Sequence, residues 1–385
     1  MSNTAVVIGG GIGGLATAVG LHGIGWNVTV IERSPTPDDA GAGISLAANG
    51  LRALDELGIG RAVRAASRNQ YNGGTRTPDG NWLTRMNGAA LEKAVGTPIV
   101  GIPRTTLHRL LREHLPTGTL QIGTEAGPVE QTDPTTARVT HGTTTLNADL
   151  VVAADGINSQ VRNHLFPTHP HPTYSGSTVL RAITDHPIDL HTDFELTWGH
   201  GVEFGHIAFL DGRAEWHAVL DLPARTRFTD PLTELHRRFG TWHDPIPALL
   251  DATHPDAVLH HDINELPTPL PTYTVGRIAL LGDAAHAMTP HLGQGACQAL
   301  EDAVTLAAAL ATEPTVPAAL TRYDTERRPR TQAVARAARQ AGRMGQQLSH
   351  PLAVALRNTA MRLTPSHAAT RMILRHHAWV PPRLN

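Results

Sequence analysis

GRIALLGDAAHAMTPHLGQGACQALEDAVTLAAAL, residues 276–310, carries the pattern on which the fold turns. It runs from an apolar strand through a glycine-bounded polar turn at Gly282-Asp283, then a loop with Pro290, Gly293 and Gly295, into an Ala/Leu-rich helix. A short apolar run bounded by turn residues reads as a buried strand, and a helix that starts after glycines offers unpaired N–H groups to a ligand.

The chain opens on a related joint. AVVI (residues 5–8) is an apolar run suited to a central parallel strand, and GGGIGG follows with GxGxxG at Gly9, Gly11 and Gly14. LATAVGLHGIG then reads as a helix ending at Gly25, and WNVTVIER as a second strand with Glu32 at its end. Gly9 makes the tight turn, Gly11 lets backbone approach a pyrophosphate, and Gly14 lets the helix pack closely on the strand. Glu32, 18 residues beyond Gly14, stands where a carboxylate accepts hydrogen bonds from an adenosine ribose. A dinucleotide site follows, with NAD(P) and FAD both open. A dehydrogenase would continue with a further strand-helix repeat, whereas here Arg33 leads into a long loop with Ala42-Gly43-Ile44. That departure favours FAD.

Composition excludes several other classes. The chain has 385 residues, 41% apolar side chains and a net charge of −2, enough for a large core and no indication of a nucleic-acid or membrane partner. Cys297 is the single cysteine, which rules out an intramolecular disulfide or a CxxC pair and fits a reducing cytoplasm. MSNTAVVIGGGIGG has no basic leader, and no segment holds about 18 uninterrupted apolar residues. Lys93 is the only lysine beside 31 arginines, a bias expected of a GC-rich genome. His169-Pro-His171, His260-His261 and His376-His377 lack the spacing of a metal site, so none is expected.

LNADLVVAADGINSQVR, residues 146–162, adds a strand ending in Asp155-Gly156 and a helix beginning near Arg162. Alone it reads equally as a routine strand-to-helix turn. With the other two segments, the chain resembles the single-component flavoprotein aromatic hydroxylases typified by para-hydroxybenzoate hydroxylase. These carry, in this order, GxGxxG, a mid-chain DG segment and a late GD segment. The resemblance spans residues 5 to about 340 and includes an extended arginine segment, IPRTTLHRLLREHL, whose Arg104 matches the family's flavin-contacting arginine.

The resemblance implies an α/β fold: a Rossmann-like FAD-binding domain (1–70, 100–170 and 270–340) interleaved with a smaller, mostly antiparallel substrate domain (71–99 and 171–269), then C-terminal helices (341–385). It implies that Asp283 holds the ribityl or pyrophosphate region and that the loop from Pro290 to Gly295 lies against the isoalloxazine. The expected cofactor set is Gly9, Gly11, Gly13, Gly14, Glu32, Arg33, Gly43, Ile44, Arg104, Asp155, Gly156, Arg162, Gly282, Asp283, Pro290, Gly293, Gln294, Gly295 and Ala296. Asp155 and Arg162 carry two roles, in FAD binding and in NAD(P)H use. His286 and His291 read as neighbours of the cofactor rather than an acid-base pair.

Between Arg162 and Gly276, STVLRAIT, DFELTWG, GVEFGHIAFL and RAEWHAVLDL alternate as antiparallel strands. Pocket candidates are Arg181, Trp198, Phe204, His206, Phe209, Trp216, His217 and Pro290, with sheet core the alternative for each aromatic. A histidine there suits deprotonation of a phenol. The arginine-rich TRYDTERRPRTQAVARAARQAG reads as a solvated helix with Asp324 and Glu326 paired on its face.

The implied activity is a monooxygenase in which NADPH or NADH reduces FAD, O2 adds to give a flavin hydroperoxide, and one oxygen passes to an aromatic or polyene substrate. Natural-product tailoring or aromatic catabolism is the expected setting, in a cytoplasmic monomer or homodimer without nucleic-acid or stable membrane association. An epoxidase, an oxidase or dehydrogenase on the same fold, and a non-catalytic FAD-binding partner protein are the alternatives.

Overall fold

The computed structural model describes residues 3–36, 42–365 and 374–384. Its nucleotide-side sheet has six strands in the order Thr274–Val275, Ile278–Leu280, Leu150–Ala153, Thr4–Ile8, Asn27–Ile31 and Leu120–Gln121. All neighbours are parallel except the first pair. Ala5, Val6 and Val7 face Leu150, Val151 and Val152 on one side and Val28, Thr29 and Val30 on the other. A strand between two parallel neighbours, with helices over both faces, is buried all round, and this is why AVVI and LVVA are unbroken apolar runs.

The helix Ile12–Gly23 crosses from the opening strand to Asn27–Ile31, while the other neighbour, Leu150–Ala153, lies on the opposite side. Strand order therefore reverses at Thr4–Ile8, the position where open α/β sheets form a ligand crevice. The helix Gly295–Thr312 packs against Ile12–Gly23 and against Ala48–Glu56, and it is buried from Cys297 to Ala309.

A second sheet of seven strands runs in the order Leu259–Glu265, Thr173–Ile183, Ala214–Asp221, Val202–Ala208, Phe194–Trp198, Asn72–Arg76 and Trp82–Asn87. It is antiparallel except for Phe194–Trp198 beside Asn72–Arg76. One face is covered by the helices Pro231–Phe239 and Ile246–Asp251, over a core of Leu180, Phe204, Trp216, Phe239 and Leu249. The other face meets a small sheet of Gly43–Leu46, Val100–Pro103 and Arg68–Asn69. That packing needs two glycines without side chains. A Cβ at Gly43 would lie 2.5 Å from the Glu215 Cβ, and one at Gly101 would lie 2.6 Å from the Ile207 Cγ2.

The long helix Val316–Met344 continues past residue 340, and Pro351–Leu363 follows it. Residues Val100–Pro103 are extended, but Arg104 opens a helix, Arg104–Glu113. The expectation of an extended arginine segment is therefore corrected: Leu107, Leu110 and Leu111 recur at helical spacing and bury one face. Among the described residues no helix is long and apolar enough to cross a membrane.

Candidate active site

The sheet order brings the three glycine-rich turns side by side. Gly9–Gly14 follows Thr4–Ile8, Asp155-Gly156 follows Leu150–Ala153 and Gly282-Asp283 follows Ile278–Leu280, so all three leave the same edge of adjacent parallel strands. Glu32 leaves the next strand at that edge. Gly9 has φ +107°, and a Cβ there would lie 2.3 Å from the Ala154 oxygen. A Cβ at Gly14 would lie 1.9 Å from the Gly9 oxygen, so the helix can start here only without one. Gly13 makes room for Leu281 and Ala299, whereas nothing lies within 4 Å of a Cβ built at Gly11. Glu32 is fixed by accepting from the N–H groups of Gly10 at 2.6 Å and Ser34 at 2.7 Å. His108, in the helix after Arg104, reaches the Gly10 oxygen at 2.7 Å, a support the motif alone does not disclose.

The DG and GD segments are joined by Arg162. It is buried, donates to the Ile157 and Ala284 oxygens at 2.7 and 3.2 Å, and its pKa is lowered by that burial. Its guanidinium is thus a clamp between the two turns, which corrects its place in the expected cofactor-contact set. Asp155 accepts from Gln160 N–H at 2.9 Å through one oxygen, while the other is buried and unpartnered. Asp283 is exposed at the edge, as are Arg33, Arg104 and Pro290.

Behind the late turn lies a buried polar network that the sequence reading did not find. The Asp302 carboxylate accepts from Gly282 N–H at 3.0 Å, contacts His286 Nε2 at 2.6 Å and accepts from Arg327 Nε at 2.7 Å. Burial opposes its charge, but His286 and Arg327 outweigh this and hold it at about 2. Glu301 accepts from Asn49, Gln298, Arg327 and Arg330. Gln294 accepts from Asn49 at 2.9 Å, so its side chain turns into the network and only its backbone remains for the loop. Arg322–Glu326 and Arg328–Asp324 pair on the long helix as expected, but buried Arg327 departs from the solvated reading. The available signal was an acidic pair, Glu301-Asp302, inside an otherwise apolar helix.

In the seven-stranded sheet, strand alternation sorts the pocket candidates. Phe204 and Trp216 stack at 5.7 Å within the helix-covered core, which corrects their expected place in the pocket. His206 shares that strand face with Phe204, bonds to Thr192 at 3.1 Å and is pushed by burial to about 4, so it is also removed from the pocket. Arg181, Glu215, His217 and Glu203 lie on the opposite face, toward Gly43. Arg181 donates to the Gly43 oxygen at 2.9 Å and pairs with Glu215 at 3.1 Å. The other Glu215 oxygen lies 3.2 Å from His217 Nδ1, and Glu203 lies 3.7 Å from Nε2. Burial disfavours the His217 imidazolium, but Glu215 and then Glu203 overcome it and raise the pKa above the usual value. Trp198 donates to Glu203 at 2.5 Å and is linked to this group, while Phe209 abuts Gly43. His291 packs on Gly342 of the long helix.

The donor set fits a dinucleotide reaching to a flat ring. Built Cβ atoms at Gly11, Gly156, Gly293 and Gly295 meet nothing within 4 Å, and buried Asp155 and Thr289 oxygens have no partner among the described residues. A family described as FAD binding domain matches residues 2–226 and 246–338. The chain belongs to the FAD-dependent aromatic hydroxylase family. The hydroxylase is 35% identical over 381 residues to aurachin C monooxygenase/isomerase of Stigmatella aurantiaca, covering 98% of each. It is 36% identical over 358 residues to 3-amino-4-hydroxybenzoate 2-monooxygenase PtnB3 of Streptomyces platensis, covering 87% of each. HpxO of Klebsiella pneumoniae, complexed with FAD and uric acid, matches with a TM-score of 0.91 at 26% identity, over 97% of this chain and 96% of that one. The hydroxylase is an FAD-dependent monooxygenase of a family reduced by NAD(P)H.

Proposed function

We propose that the hydroxylase inserts one atom of O2 into a neutral, hydroxy- or amino-substituted aromatic ring held between the flavin side and the Arg181–Glu215–His217 face. The observation that carries this reading is the charge arrangement. Two largely buried carboxylates, Glu203 and Glu215, flank His217, and the one arginine beside them among the described residues, Arg181, already spends its Nη2 on both Glu215 and the Gly43 oxygen. A substrate carboxylate would meet two carboxylates against a single arginine already paired with one of them. A ring bearing O–H or N–H donors would find acceptors.

FAD, when bound, supplies the oxygen-activating redox chemistry. The Gly9–Gly14 turn and its helix N-terminus would hold the pyrophosphate and Glu32 the ribose, while Asp283 and the backbone from Gly293 to Ala296 would hold the other end. Neutral His217 takes the proton of the ring hydroxyl, raising electron density at the ortho and para carbons. Glu215 stabilises the resulting imidazolium and Arg181 fixes Glu215. A pKa raised from about 6.5 moves the base towards a neutral working pH. NADPH or NADH would serve as transient reductant, in a cytoplasmic monomer or homodimer. The domain division is proposed at 1–70, 100–170 and 270–340 for FAD and at 71–99 and 171–269 for substrate.

The test is NADPH and NADH oxidation by purified, flavin-loaded protein against aromatic panels under labelled oxygen gas. Expected is one labelled oxygen atom per product, with neutral aminophenols and hydroxylated heteroaromatics favoured over benzoates by roughly tenfold, a cost of about 1.4 kcal/mol. Preference for the benzoates by that margin, or hydrogen peroxide as the only oxygen product across the panel, would overturn it.

A further inference from the structure

The charge of this chain is divided unevenly along its length. After Glu326 no Asp or Glu occurs, and residues 327–385 carry eleven arginines. Against a whole-chain charge of −2, the first 326 residues therefore stand at −13. Part of this basic excess is used internally, by Arg327 and Arg330 on Glu301, Arg328 on Asp324 and Arg339 on Glu265. Arg343 and Arg362 have no acidic partner among the described residues.

Arg343 precedes, and Arg362 belongs to, a helix that is largely unburied. In Pro351–Leu363 only Val354 is buried, while Leu352, Leu356 and Leu363 are 77%, 73% and 76% exposed and Met344 just before it is 61% exposed. Leu352, Leu356, Thr359 and Leu363 follow at i, i+4, i+7 and i+11, one stripe of the helix. The helix is nevertheless held in place. Arg357 donates to the Gly345 oxygen at 2.6 Å, lies 5.1 Å from the Trp198 ring, and the helix packs on the strand Trp82–Asn87. Arg357 is thus an anchor, and the leucines face outward by construction.

We propose that Pro351–Leu363 docks the enzyme reversibly on the surface of an anionic lipid bilayer. Leucines would enter the boundary between headgroups and acyl chains, while Arg343 and Arg362 meet the anionic headgroups. A second copy is the poorer occupant, because two such faces bring only positive charge together and no acid to pair with it. A single short amphipathic helix gives weak binding, so the contact is reversible and the chain does not span. Such a reversible contact stands beside the expectation of no stable membrane association. The docked helix stands beside Trp198, whose indole reaches Glu203 on the substrate face, so an apolar aromatic dissolved in the bilayer would meet the enzyme on its substrate side.

Vesicle sedimentation of the full-length, FAD-loaded enzyme tests this, with phosphatidylcholine alone and with phosphatidylcholine containing phosphatidylglycerol. At low salt, roughly 0.05 M, partitioning should be at least about tenfold greater onto the anionic vesicles and should weaken at roughly 0.3 M. The double variant L352S/L356S should lose about tenfold or more of that binding, with its flavin spectrum and its rate on a water-soluble substrate unchanged. R343Q/R362Q should lose the preference for anionic vesicles. Equal binding to both vesicle types, or undiminished binding of the leucine variant, would overturn the proposal. So would a leucine-dependent dimer in sedimentation velocity without vesicle binding, which would assign the face to a second copy, or a tighter leucine-dependent association with an acidic peptide.

Discussion

His217 and His206 differ in one respect that sequence cannot display, the face of the sheet on which each ring falls. His206 is enclosed with Phe204 behind the sheet, and burial keeps it neutral down to about pH 4. His217 stands on the opposite face with Glu215, where its pKa is raised. Replacing His217 by Gln should lower turnover by about 10²- to 10⁴-fold. It should also remove an ascending limb in the pH profile, since neutral histidine accumulates only as pH rises through the raised pKa. The loss should shrink for phenols already ionised at the working pH; an equal loss for all phenols would show that His217 is not the base. In stability the sign is reversed: the imidazolium contribution is complete below the unfolded value near 6.5 and fades as pH passes the folded pKa. Asp302 behaves oppositely. Held at about 2, it stabilises the fold above about pH 4 and that contribution, about 2–3 kcal/mol, is lost as pH falls towards 2. Asp302→Asn should lower the melting temperature at pH 7 and flatten the acid side of the stability profile, as measured by thermal unfolding from pH 2 to 7.

At the scale of elements, the strand-turn-helix joints were legible because each depends on local chemistry. Gly9 needs a left-handed backbone, Gly14 has no room for a side chain, and AVVI and LVVA are apolar because both sheet faces are covered. Adding one methyl at Gly14 would press the helix start against the Gly9 oxygen, so Gly14→Ala should weaken FAD binding at least about tenfold, and Asp283→Ala should do the same through a different turn. Fluorescence titration of apoprotein with FAD measures both, and unchanged affinity in either variant would remove that residue from the assignment. Less was legible where partners are remote in sequence. Arg162 looks like a ligand residue but clamps Ala284, 122 residues away, and Glu301 gathers groups from three helices. The sheet candidates were half resolved, because alternation gives two faces without saying which one the helices Pro231–Phe239 and Ile246–Asp251 will cover.

The whole molecule is closed by its last described segment, which returns to the body that binds the nucleotide. Arg52, on the helix Ala48–Glu56, donates to the Trp379 oxygen at 2.8 Å and to the His377 oxygen at 3.2 Å. Arg330 Nη2 donates to the His376 oxygen at 3.1 Å and also to Glu301, which Arg330 Nε holds as well. Trp379 packs against the apolar cluster of Leu51, Val63, Leu107 and Val304, with Arg327 lying 6.0 Å from its ring. The strap therefore covers the far side of the network whose near side ends at Gly282 and Gln294. Deleting residues 374–385 would expose Trp379's apolar contacts to water and leave Arg52 without its two carbonyls. It should lower the melting temperature by roughly 3 °C or more and speed FAD release, because Asn49 and Gln294 are fixed through Glu301. Trp379→Ala, which keeps the carbonyls, should show a smaller share of both effects. If the truncated protein melts and releases FAD as the full chain does, the strap contributes nothing to the nucleotide side and the network stands on its own helices.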